Sequence, residues 1–444
     1  MSAKAWAFTG NEHSAAHVPM GCAGLALCGQ TSLHFLSTIL HCPMTQQRNL
    51  RLMLILSALM SFASISTDLY LPALPSMQHA LHASRAGIEL TFSAFLVGFS
   101  MGQLFWGPYS DRVGRRKPIA IGIVLFALGS AGCALSDTVW QMMLWRVIQA
   151  VGACVGPVLS RAMVRDRYGR EQSAHKLSTL ILIMGVAPLL GPLLGGQILL
   201  VWSWQGIFWL LTIVAALLLF CLRYLPETLA RKNRNTQPVQ QVFREYLSLL
   251  QDKSLLVYAL AGAFFYAGAY TFIVATPFAY IEYFHVSPQG YGYLFGINIA
   301  GMMLANAANR HLLGRFSSKH LFMAGCLVLA LSGLVLMMNV YWSVGGLAGV
   351  VLPIFFYMSM NGFIVANSVA GALEHLPHKA GTASSLLGAM HYGSGILSAA
   401  LVGWFADGTP WAMAWLMGLC GLASLLVAIL SVIPLPMQAK WRVL

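Results

Sequence analysis

The chain has 444 residues, of which 58% are hydrophobic and 9% charged, where a soluble domain carries about 25% charge. Its repeated apolar runs of about twenty residues therefore mean transmembrane helices and exclude an ordinary soluble enzyme. The formal net charge of +13 is not a nucleic-acid footprint, because the bases cluster between alternate apolar runs.

Residues 1–43 do not match the remainder. They hold Cys22, Cys28, Cys42 and a weakly apolar patch from Pro19 to Cys42. The basic start and small-residue cleavage site of a signal peptide are not evident. The segment reads as an atypical leader, disordered or upstream of a true start at Met44. The eight cysteines form neither a CxxC pair nor a metal spacing, and no disulfide framework is expected.

Twelve spans follow, at about 50–71, 87–107, 118–135, 140–163, 177–200, 205–225, 255–281, 291–313, 320–339, 345–371, 382–405 and 411–433. Even-numbered loops carry the bases: Arg112 to Lys117, Arg165 to Arg170, Arg231 to Lys253, Arg315 and Lys319, and Lys379. Odd-numbered loops are nearly free of Lys and Arg. Both termini are thus expected on the cytoplasmic side. The longest loop, 226–254, divides the spans six and six. The layout predicts an all-α polytopic membrane protein with an N-terminal half at 44–225, a cytoplasmic linker at 226–254, a C-terminal half at 255–433 and a tail at 434–444. A weak echo between GPYSDRVGRRK (107–117) and ANRHLLGRFSSK (308–319) aligns Gly114-Arg115 with Gly314-Arg315, as two pseudo-equivalent halves would.

The chain has only thirteen acids. Asp68, in SISTDLYLPALP (64–75), follows a full apolar run and precedes more apolar chain. An acid inside a membrane costs roughly 2.5–3.5 kcal/mol on insertion scales and is a functional-site candidate by default. A carboxyl that gains and loses a proton beside a polar cavity suits a proton-coupled carrier. Arg146 lies inside the fourth span, in WRVIQAVGACVGPV (145–158). From the span limits, Asp68 is expected about 6–9 Å below the outer end of its span and Arg146 about 9–12 Å below its own. The two are expected to meet at one depth.

GPYSDRVGRRK places Gly107 where two helix ends can approach. Asp111 can pair with a neighbouring arginine or sit at a helix N-terminus. Arg112, Arg115 and Arg116 hold the loop on the basic side, with Gly114 between them. GVAPLLGPLLGG (185–196) sets Gly191 and Gly195, and Pro188 and Pro192, four residues apart, after Gly185. The glycines form a small-residue packing face and the prolines bend the helix.

These motifs resemble the major facilitator superfamily. GPYSDRVGRRK resembles its loop signature G-x-x-x-D-R-x-G-R-R/K, which implies a gating latch of Gly107, Asp111, Arg112, Gly114, Arg115 and Arg116. Arg146 and Gln149 resemble the R-x-x-Q-G pattern of drug:proton antiporters, with the glycine displaced to Gly152. The stretch Gly185 to Gly196 resembles the exporter signature G-x-x-x-G-P-x-x-G-G, with two extra residues before Gly191. TDLYLPALP, LPET (225–228) and LPHKAGTASSL (376–386) point to the bicyclomycin-resistance and chloramphenicol-efflux branch.

The resemblance implies proton coupling through Asp68 and Arg146, and a cavity lined by spans 1, 4, 7 and 10. Tyr70, Gln149, Tyr266, Tyr270 and Asn361 are its candidate lining residues. Aromatic faces suit a polyspecific pocket. The expected activity is proton-driven export of small amphipathic compounds across an inner membrane; the alternative is a proton-coupled metabolite or sugar carrier. The expected partners are a small-molecule substrate, protons and the bilayer, with no nucleic acid, on a monomeric chain. No cofactor or metal is expected. A G-x-x-x-x-G-K-S/T phosphate loop is missing, so ATP is not expected to drive the chain directly. The missing H-E-x-x-H and G-x-S-x-G argue against an intramembrane hydrolase, so no enzyme is expected. His391 reads as a hydrogen-bonded structural histidine, and Glu374, His375 and His378 as loop residues.

Overall fold

The TDLYLPALP stretch does not end the first span. In the computed structural model, which describes residues 44–168, 170–234, 239–374, 376 and 379–432, α1 runs Met44–Asp68. A single 3-10 turn follows at Leu71–Ala73, then α2 at Leu74–Ala80. Pro72 and Pro75 each fall at the first turn of a new segment, where a missing N–H costs least. The apolar stretch Arg51–Ala80 is 30 residues long, and Asp68 stands about 18 Å from its Ala80 end. The depth expected for Asp68 is thereby corrected: it is near the middle of its span.

The other elements follow in order: α3 (Arg85–Val113), α4 (Arg116–Ala134), α5 (Val139–Arg167), α6 (Arg170–Val201), α7 (Trp204–Cys221), α8 (Val239–Leu249), α9 (Lys253–Pro277), α10 (Pro288–Leu312), α11 (Ser318–Tyr341), α12 (Gly346–Ser359), α13 (Asn361–Leu373), α14 (Ala380–Trp404) and α15 (Trp411–Val432). Eleven helical stretches among the described residues are long and apolar enough to cross a membrane. The twelfth span is α10. Its 25 residues reach about 37 Å, but Asn298, Asn306 and Asn309 dilute its hydropathy. Asn298 and Asn309 are buried; Asn298 Nδ2 donates to the Leu294 carbonyl at 2.9 Å, and Asn309 Oδ1 accepts from Asn367 Nδ2 at 2.8 Å.

Three local features depart from the sequence reading. The tenth span breaks at Met360 into α12 and α13. A π-helical segment, Phe278–Tyr283, extends α9. The linker contains α8, whose Tyr246 and Leu249 are buried and which packs on α14. Its pattern, Tyr246 three residues before Leu249, is an amphipathic stripe inside a polar loop.

Spans from the two ends of the sequence meet along two seams, α3 on α14 and α6 on α10. The leader, the tail, His375 and His378 lie outside the described residues.

Candidate functional site

Asp68 is 5% exposed and accepts a hydrogen bond from the Thr67 hydroxyl at 3.1 Å. Arg146 is wholly buried. No ion pair joins them among the described residues, so the expected Asp68–Arg146 pairing is corrected. Arg146 Nη1 instead donates to the backbone carbonyl of Ser66 at 3.2 Å and to Gln149 Oε1 at 2.6 Å. Its guanidinium lies over the rings of Tyr70 at 4.2 Å and Phe95 at 4.4 Å. The physical reason is the break at Pro72. Where α1 ends, carbonyls of its last turn lose helical donors, and Arg146 supplies one. Gln149 Nε2 donates onward to the Ser130 hydroxyl at 2.8 Å. Arg146, Gln149 and Tyr70 thus form one buried group that holds the Asp68-bearing helix end in place.

The glycine–proline stretch of α6 packs on that same helix end. A Cβ on Gly191 would stand 2.7 Å from the Cβ of Asp68, and one on Gly195 would collide with the Leu69 carbonyl. Gly196 faces Pro288 of α10, and Gln289 Nε2 donates to the Gly196 carbonyl at 3.1 Å. Gly185 has open space beside it and takes no part in this packing. α6 is assigned as one helix through Pro188 and Pro192.

Tyr266 and Tyr270 of α9 belong to an aromatic cluster on the α3–α14 seam. Tyr392 lies 4.4 Å from Phe99, 6.0 Å from Tyr270 and 6.3 Å from Tyr266, between ring centroids. Asp68 lies within electrostatic reach of Tyr270 and Tyr392. His391 stacks on Tyr266 at 4.7 Å. Its Nε2 has no hydrogen-bond partner, and a Cβ on Gly262 would lie 2.6 Å from that atom. His391 is therefore not the hydrogen-bonded structural histidine expected.

One turn from Phe99 along α3, Gln103 reaches a cavity of about 310 Å³ at the end carrying the basic loops. α3, α5, α8 and α14 wall it, including Arg161, Glu245 and Thr382. None of Tyr70, Gln149, Tyr266, Tyr270 and Asn361 lines this cavity. Asn361 opens α13 at the break after α12. Among the described residues no cluster of His, Cys, Asp and Glu could hold a metal ion.

The latch residues surround this opening. Arg115 Nη1 bonds Asp111 at 2.6 Å, and its Nε bonds Asp166 at 2.8 Å. The backbone N–H groups of Arg115 and Arg116 donate to Glu227 at 2.8 and 3.1 Å. Burial alone would push the Glu227 carboxyl up. The N–H groups of Arg115, Leu229 and Arg116 and the charge of Arg234 outweigh it and hold the group below its usual range. Gly114, at φ +103°, closes α3 in a conformation that disfavours a side chain, with Glu227 2.6 Å from where a Cβ would stand. Gly107, expected at a close helix approach, leaves room for a Cβ, which would meet no neighbouring element within 4 Å, and lines the cavity with Asp111 and Arg112.

A family profile described as Major Facilitator Superfamily matches residues 54–399. The chain belongs to the major facilitator superfamily. This facilitator is 36% identical over 372 residues to an uncharacterized MFS-type transporter YdgK of Bacillus subtilis, covering 82% of this chain and 91% of that one. It is 29% identical to a bicyclomycin resistance protein homolog of Haemophilus influenzae, covering 86% and 96%, which agrees with the branch indicated by TDLYLPALP and LPET. The Escherichia coli xylose transporter XylE, in a partially occluded inward-open conformation, superposes with a TM-score of 0.67 at 16% identity, over 88% of this chain and 99% of that one. At that identity the superposition shows the fold alone.

Sequence reasoning missed three parts of the facilitator's polar framework. Asp166 and Glu227 complete the latch; their signals were the acid in RDRYGR and the one in LPET. Glu89 of α3 is fully buried, and its Oε1 accepts from Arg85 Nε at 3.0 Å. It presses on α14, where a Cβ on Gly403 would stand 2.9 Å from Oε2. Arg85 in turn lies 4.7 Å over the Phe278 ring at the π-helical segment. This pair sits on the α3–α14 seam at the end opposite the basic loops. In the second half, the stretch 308–319 takes part in neutral polar contacts: Asn367 Nδ2 donates to Asn309 Oδ1 at 2.8 Å, and the Ser318 hydroxyl to Asn367 Oδ1 at 2.9 Å.

Proposed function

We propose that the chain is a proton-driven exporter of small amphipathic compounds in a bacterial-type inner membrane, acting as a monomer with both termini cytoplasmic. The reading is carried by one observation: a buried, unpaired carboxylate, Asp68, packed directly against Gly191 of the glycine–proline helix. A carboxyl held apart from any cation is cheaper to protonate in a low-dielectric setting than one that is paired. Asp68 takes a proton from the outer side. Arg146 positions the Asp68 backbone through Ser66 and is not its counter-ion. Compound enters from the cytoplasmic side through the cavity at the basic end and meets the Tyr266–Tyr270–Tyr392 cluster. Loss of the proton inward and rocking of the halves, 44–225 against 255–433, complete the exchange. The Asp111–Arg115–Asp166–Glu227 latch stabilises one of the two conformations.

The names of the relatives favour export of antimicrobial compounds over the sugar-carrier alternative. A growth-inhibition panel with and without expression, repeated with a proton uncoupler, tests the reading. Resistance to at least one compound that collapses with the uncoupler is the expected result; no resistance, or resistance indifferent to the uncoupler, contradicts it.

A further inference from the structure

We propose that Arg161 and Arg165 make the cavity at the basic end a charge filter, so that the exporter takes neutral and anionic amphipathic compounds in preference to organic cations. The inference rests on the export reading and adds the substrate class. Six charged side chains line the cavity: Asp111, Arg112, Arg115, Arg161, Arg165 and Glu245. Four are cations and two are anions, a formal excess of two positive charges among the lining residues. Asp111 is held by Arg115, at 2.6 Å. Glu245 Oε2 accepts from the Thr382 hydroxyl at 3.3 Å. Arg112 has a partner of its own, and Arg115 is shared with Asp166. Neither Arg161 nor Arg165 has a hydrogen bond or ion pair among the described residues, and both are exposed to the opening.

The surplus positive charge extends inward. Arg161 lies within electrostatic reach of Tyr266 and Tyr392, members of the aromatic cluster that stands outside the cavity lining. A compound crossing from the opening to that cluster therefore passes an uncompensated guanidinium, in a cleft whose low-dielectric walls concentrate its field. A carboxylate or electron-rich oxygen gains charge-assisted hydrogen bonds there, whereas an ammonium is repelled. Asp68 is not among the residues that line the cavity, so the charge a compound meets on entry is set by Arg161 and Arg165. Outward movement of an anion and inward movement of a proton also run in the same electrical direction, so an inside-negative membrane potential assists both.

The test uses the full-length protein in proteoliposomes under an imposed pH gradient, with three probes on one aromatic scaffold: a neutral amide, a carboxylate and a trimethylammonium. The expected result is a kcat/KM for the amide and the carboxylate at least about five-fold above that of the ammonium, a ratio typical of a single steering charge. Arg161→Glu shifts the carboxylate-to-ammonium ratio toward the ammonium, by about ten-fold or more. Arg165→Glu, judged at equal membrane abundance, serves as the second variant and shifts it the same way. Ammonium transported as well as the carboxylate by the unaltered protein, or a ratio unmoved in both variants, overturns the filter while leaving export standing. No gradient-driven flux of any probe overturns the export reading and the filter with it.

Discussion

Gly191 of α6 stands so close to Asp68 of α1 that a methyl group at its Cα would lie 2.7 Å from the aspartate Cβ. The glycine helix thus forms the wall of the carboxylate's site. The contact is made possible because α1 ends at Asp68 and exposes the Asp68–Leu69 backbone to a neighbour without side chains.

Gly191→Ala overpacks that wall. The expected cost is about 1–3 kcal/mol, read as a lowered thermal midpoint in detergent. Gly185→Ala, on the same helix with open space beside it, is the control. It is expected to leave the midpoint unchanged or raise it, since alanine favours helix over glycine by about 1 kcal/mol. Equal destabilisation by both would show that the Asp68 contact has no special weight.

Arg146 tests the difference between a counter-ion and a brace. As a counter-ion, its loss would move the pH optimum of transport upward. Because it bonds Ser66 and Gln149 and not Asp68, Arg146→Lys is expected to lower the rate at every pH alike, with the optimum in place. Lysine loses the flat stacking on Tyr70 and Phe95 and the forked donor geometry. A clear alkaline shift in the pH–rate profile would restore the charge pair that the geometry denies.

The Arg85–Glu89 pair predicts a stranded charge. Glu89 has no exposure, so Arg85→Ala leaves a buried carboxylate uncompensated, at a cost of about 3 kcal/mol. Adding Glu89→Gln should recover much of that loss. The measurement is thermal unfolding of the two variants and the parent in one detergent. A double variant no more stable than Arg85→Ala would contradict the pairing.

Glu227 gives the latch a pH dependence of fixed sign. Its pKa is held below the ordinary glutamate value of 4.5 in the folded chain. Its contribution is therefore fully present above the unfolded pKa, and is lost as pH falls through the depressed folded value. In Glu227→Gln that component of acid sensitivity should disappear. Spectroscopic distances between the loop at Gly114 and α14, followed from neutral to acid pH, check it; identical acid profiles in both proteins would rule it out.

Much of this arrangement was legible in the sequence, and the remainder was hidden for identifiable reasons. Asp68 stood out because an acid between two apolar segments is costly, and the glycine spacing of α6 announced close packing. The sequence did not reveal that these two features touch, since no local pattern relates residue 68 to residue 191. The Asp68–Arg146 pairing failed because a matching depth says nothing about the direction in which a side chain points around its helix. Glu89 was missed because α3 begins at Arg85, two residues before the expected start. That offset placed the acid beside a loop, while its burial comes from Gly403, over 300 residues away. The linker helix was masked by the polarity of its outer face, although the three-residue spacing of Tyr246 and Leu249 was visible.

The central claim, that Asp68 carries the coupled proton, is tested most directly by pH-gradient-driven transport in vesicles bearing Asp68→Asn. The amide keeps the size and polarity of the group but cannot carry a proton. At membrane abundance equal to the parent, gradient-driven efflux is predicted to vanish while substrate binding and exchange without a gradient persist. Gradient-driven efflux at the parental rate would contradict the account.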